Sequence, residues 1–102
     1  MKYYLIITVL KKLYLDELIN VYSTRDYPDC DRLKEGQVFI VHDLSKMPEG
    51  FCDWAWHNIE REMQSAMDGI QLPWVTKPNT FIACCTDGLR PVIFKLERKE
   101  IV

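Results

Sequence analysis

Cys52 is the residue of this sequence best placed by type and position to do chemistry. It lies in PEGFCDWAW, residues 48–56, where a Pro-Gly turn delivers the chain to the start of a helix. A thiol in the first helical turn meets unpaired backbone N–H groups and the positive end of the helix dipole, and both favour its anion. Cys52 is therefore the candidate nucleophile for a thiol-dependent enzyme or redox protein. It also opens an amphipathic stripe, and buried cysteine is commonly inert, so the first buried residue of a core-facing helix is the commoner reading of such a position.

A metal centre is the second chemistry on offer. Cys30, Cys52, Cys84 and His57 would supply soft ligands suited to tetrahedral zinc or iron, with Cys85 and His42 as substitutes. The spacing does not make the case alone. No two of the four cysteines are separated by two residues, and His57 follows Cys52 by five positions, so one helix cannot align them. Adjacent strand residues point to opposite faces, so only one of Cys84 and Cys85 can meet Cys52. The bland alternative is two small residues that let a helix approach the sheet.

A third group suits ligand binding. Asp87 and Gly88 match the chemistry of a tight hairpin turn, which leaves Arg90 unexplained by the turn itself. Arginine fits a bidentate carboxylate or phosphate contact, or an ion pair with Asp87, Asp53 or Glu49. Trp54 falls off the buried helix stripe and Trp74 lies in the Pro-punctuated stretch QLPWVTKPN. Either indole could line a cleft or a subunit contact. Trp54, Trp74, Asp87 and Arg90 are thus the candidate ligand-binding residues.

These side chains must be positioned by a small set of elements. Residues 2–11 alternate as a buried strand, and LYLDELINVY (13–22) has apolar positions at helical spacing. The turn-rich stretch 23–33 holds Cys30, and a strand runs from Gln37 to His42. From about Cys52 to Asp68, the residues Cys52, Ala55, Trp56, Ile59, Met63, Ala66, Met67 and Ile70 recur as one buried stripe, and Gly69 ends the helix. Residues 80–86 and 91–99 form a hairpin over Asp87-Gly88. The stretch 80–86 is apolar on both faces, which predicts a central strand or one covered by a partner. The order β-α-β-α-β-β predicts an α+β fold, a mostly antiparallel sheet packed on one main amphipathic helix, in a single domain over residues 1–102.

Composition narrows the function classes. A formal net charge of -2 with no dense basic run argues against a nucleic-acid backbone as partner. The opening MKYYLIITVLKK is stopped by Lys11 and Lys12, too short for a membrane span and without a signal-peptide cleavage pattern. A soluble cytoplasmic protein with reduced thiols is expected.

The motifs also carry a resemblance. PEGFCDWAW and CCTDGLRPVIFKLER (84–98) are similar to the signature blocks of an uncharacterised family of small, sometimes tandem-repeated, single-domain proteins of anaerobic bacteria and archaea. The likeness extends to ITVLKK, the Cys30 loop, LKEGQVF at 33–39 and LPW at 72–74. It departs at Asp31, where that family usually has proline after the loop cysteine. The resemblance implies that the two blocks converge on one site, but no activity comes with it. Three expectations follow from the residues: a binding module for a small anionic or aromatic ligand or a metal, a thiol-dependent protein using Cys52, and a homodimeric interaction domain joined through the outer face of the 80–86 strand.

Overall fold

The computed structural model describes residues 2–24 and 26–101. Seven elements follow in chain order. They are β1 (Tyr3–Lys12), α1 (Asp16–Tyr22), β2 (Val38–Val41), α2 (Asp53–Asn58), α3 (Glu60–Met67), β3 (Thr80–Cys84) and β4 (Val92–Glu100). The strands form one antiparallel sheet in the order β2-β1-β4-β3. The fold class is the α+β arrangement that the sequence predicts.

Strand alternation decides which side chains enter the core. Leu5, Ile7 and Val9 of β1, Phe39 and Val41 of β2, Phe81 and Ala83 of β3, and Val92, Phe94 and Leu96 of β4 are all buried on one face. Against that face lie Ala55, Trp56, Ile59, Met63 and Ala66 from the helices. Phe51 fills the space between the layers, with its ring centroid 4.9 Å from Phe39, 5.5 Å from Phe94 and 5.8 Å from Trp56.

The main helix is interrupted, where the periodicity predicts one continuous segment. Ile59 stands between α2 and α3 with φ −99° and ψ 11°, although its side chain is fully buried. The break coincides with Asn58, a poor interior helix residue whose amide oxygen is engaged by Thr86 across the layer gap. Downstream, α3 closes in a Schellman motif. Ile70 N–H donates to the Ser65 carbonyl and Gly69 N–H to that of Ala66, both at 3.1 Å, with Gly69 at φ +81°. Ile70 lies past this stop and is exposed, not part of the buried stripe.

Three further expectations are revised. The strand of the 80–86 segment, β3, is an edge strand, paired among the described residues only with β4, so its two-sided apolar character does not mark a central position. Residues 13–15 are not helical. Leu13 and Leu15 N–H donate to the Pro91 and Leu89 carbonyls, carrying the β1–β4 ladder onward before α1 begins. Finally, β3 and β4 are joined by a wider connection, and Gly88 does not take the positive φ of a tight hairpin turn.

Candidate functional site

Three segments far apart in sequence meet at one end of the helix–sheet interface. They are the Cys30 loop, the Cys52–Asn58 segment and the β3–β4 connection from Cys85 to Val92. Together they enclose a cleft of about 300 Å³. Its floor is apolar, with Leu33, Ala55 and Val92, and three thiols enter it, those of Cys30, Cys52 and Cys85. Trp54 stands at its rim, largely exposed.

The β3–β4 connection is held by its own aspartate. Asp87 Oδ1 accepts from the backbone N–H groups of Leu89 and Arg90, each at 3.0 Å, and Oδ2 accepts from Arg90 Nε at 3.1 Å. Burial opposes ionisation of this carboxyl. The two amide donors and the guanidinium outweigh it and hold the group below the usual aspartate range. Asp87 is therefore committed to shaping the loop.

Arg90 reaches outward from that anchor and latches the cysteine loop. Its Nη1 donates to the Pro28 carbonyl at 3.0 Å, and its guanidinium carbon lies 4.3 Å from the Tyr27 ring centroid. Tyr14 OH adds a hydrogen bond to the Tyr27 carbonyl at 2.5 Å. The residue that turn geometry leaves unexplained thus ties two walls of the cleft together. Its Nη2 donates no hydrogen bond among the described residues.

A polar relay fixes the third wall. Trp54 Nε1 donates to Thr86 Oγ1 at 3.0 Å, and Thr86 donates through both N–H and Oγ1 to Asn58 Oδ1, at 2.9 and 3.0 Å. This leaves the Asn58 amide hydrogens without a partner among the described residues, on a side chain that lines the cleft. Asn58 and Thr86 escaped the sequence reading. The available signal was that Trp54 and Asn58 are four residues apart, hence neighbours on one helix face.

The vicinal cysteines separate as strand geometry requires. Cys85 lines the cleft and packs against the core. Its N–H donates to the Val92 carbonyl at 3.1 Å, and Val92 N–H returns a bond to Cys85 Sγ at 3.3 Å. Cys84 pairs with Ile93 on the outer face and is exposed. Partial desolvation of its sulfur, then the neighbouring Cys85, push that thiol up, towards the neutral form.

Cys52 is the N-cap of α2, in extended backbone, and its side chain makes no capping bond. Its sulfur is buried against the core and borders the cleft. The two positions expected to join it do not. His57 is exposed and Cys84 is on the far side of the sheet, and neither is among the cleft residues. Among the described residues no group of three or more His, Cys, Asp or Glu is placed to hold a metal ion. Trp74 is likewise remote, exposed in the 68–79 connection beside the outer sheet face. All four cysteines are free thiols, and no helix among the described residues is long and apolar enough to cross a membrane.

Compared with protein-family models, with curated proteins and with solved structures, the chain matches none.

Proposed function

We propose that the chain is a small-molecule binding domain whose ligand enters the cleft among Cys30, Cys52 and Cys85. The observation that carries this reading is the convergence of three separate segments on one mostly apolar cavity with a few unpaired polar donors, the usual make-up of a ligand site. The donors select the ligand. Arg90 Nη2 and the Asn58 amide suit a carboxylate or similar oxyanion, while Leu33, Ala55, Val92 and the thiols suit a flat apolar or aromatic body. Trp54 would close over it.

The thiol-enzyme reading is the weaker alternative. A cysteine nucleophile needs a base within hydrogen-bond reach. The cleft lining contains no imidazole, Asp87 is already engaged by three donors, and the other carboxylate of the lining, Asp31, is solvent-exposed beside Cys30. In this proposal the chain belongs to the family its two motif blocks resemble, works in the cytoplasm with reduced thiols, and pairs with a second copy.

Native mass spectrometry of the protein purified without denaturation tests the reading. The expected result is a co-purifying organic anion that is lost from Arg90→Ala. A bare wild-type chain that also fails to bind any of a set of aryl carboxylates would overturn it.

A further inference from the structure

Among the described residues no helix packs on the outer side of the sheet, and the Trp74 connection lies beside it only towards β3, where Thr80 is buried. Helices α2 and α3 pack on the buried face, while on the other Val38 and Ile40 are 55% and 52% exposed and Leu10 and Ile82 are each 43% exposed. In the middle of this apolar surface Lys95 and Glu97 form an ion pair on β4 at 3.4 Å, with about 30% of each side chain exposed.

Strand register arranges this face in rows. Ile40, Ile6, Glu97 and Thr80 are aligned across the four strands, and so in the next row are Val38, Thr8, Lys95 and Ile82. Consider a two-fold axis lying between two such faces, across the strands at the level of Leu96. It keeps each strand above its own copy and exchanges the two rows. Ile40 then meets Val38 of the second copy, Ile6 meets Thr8, and Glu97 meets Lys95 twice over, while Thr80 is already buried within its own chain. An axis along the strands would instead set Lys95 against Lys95. The surface is self-complementary in one arrangement and repulsive in the other.

We infer that this outer face is a homodimer interface, two sheets stacked with antiparallel β4 strands crossing at Lys95 and Glu97. Stacked sheets pack in nearly aligned fashion about 10 Å apart. The strands cover on the order of 450 Å² of sheet plane. Projecting side chains and the Trp74 connection add to this, which places the contact at the small end of specific interfaces, near the roughly 800 Å² per partner of a standard one. None of the cleft residues lies on this face, so the inference rests on the proposed pairing of copies alone. Ligand binding is expected to be unchanged in every interface variant.

Charge reversal with sedimentation reads the arrangement directly. The wild-type chain should sediment as a dimer. Lys95→Glu alone and Glu97→Lys alone place like charges opposite each other twice, so self-association should weaken more than about tenfold. An equimolar mixture of the two variants should restore the dimer, because position 95 of one copy faces position 97 of the other. Ile40→Asp supplies an independent handle, since it too should give monomers while keeping the wild-type far-UV spectrum. A monomeric wild type, single variants that remain dimeric, or folded variants whose mixture stays monomeric would each overturn the inference.

Discussion

Replacing Arg90 by alanine removes three contacts that join separate parts of the chain. The first is the ion pair to Asp87 at 3.1 Å, between side chains about 20% exposed, worth about 1 kcal/mol at the upper end for partly screened pairs. The second is the hydrogen bond from Nη1 to the Pro28 carbonyl, worth about 0.5–1 kcal/mol at an exposed site. The stacking on Tyr27 adds about 0.5–1 kcal/mol. The sum is about 2–3 kcal/mol, or a fall in Tm on the order of 10–20 °C for a domain of this size. Urea unfolding measures the first quantity and calorimetry the second. Arg90→Lys should recover less than half, because an ammonium cannot serve Asp87, Pro28 and the Tyr27 ring from one planar fork. Faster labelling of Cys30 by a thiol reagent should accompany the loss, since the loop carrying it is what the latch holds. Stability within about 0.5 kcal/mol of wild type, with Cys30 labelling unchanged, would refute the latch.

Three other outcomes are expected. Because folding lowers the Asp87 carboxyl below its ordinary value, its stabilising contribution is complete above about pH 4 and is lost as the pH falls through the lowered folded value. Asp87→Asn should therefore differ most from wild type near neutrality and converge with it in acid unfolding curves. Gly69→Ala should cost about 1–2 kcal/mol, more than Gly36→Ala at about 1 kcal/mol. Both glycines have positive φ, but a methyl at position 69 would sit 2.7 Å from Arg98 Nη1 and move that guanidinium off the Tyr3 ring and the Met67 carbonyl, whereas position 36 is open, and equal urea midpoints would contradict this. Trp56→Ala should lose about 3–5 kcal/mol by opening a cavity beneath Phe51, and a near-native midpoint would show that this face of α2 does not carry the core.

What was legible in the sequence was the part set by local periodicity. The alternation of Leu5, Ile7 and Val9 and the spacing of Ala55, Trp56, Ile59, Met63 and Ala66 place those residues in the core where the structure has them. What was not legible depended on partners distant in sequence. The edge position of β3 is decided by which strands pair, and two-sided apolar character says nothing of that. The break at Ile59 accompanies bonds that Asn58 accepts from Thr86, 28 residues away, and Arg90 finds its purpose 62 residues upstream at Pro28. Strand geometry did require Cys84 and Cys85 to diverge, but only the register to Ile93 shows which one leaves the cleft.

The central claim, that the thiol-lined cleft receives a small oxyanion with an apolar body, is tested most directly by NMR. A graded set of aryl carboxylates is titrated into the isotope-labelled chain. The account predicts saturable shifts confined to the Trp54 indole N–H, the Asn58 side-chain amide and the backbone N–H groups from Cys85 to Val92, with the same shifts weakened at least about tenfold by Arg90→Lys, whose compact ammonium replaces the fork. Saturable shifts centred on Trp74 and the outer sheet face, or binding indifferent to Arg90, would contradict it.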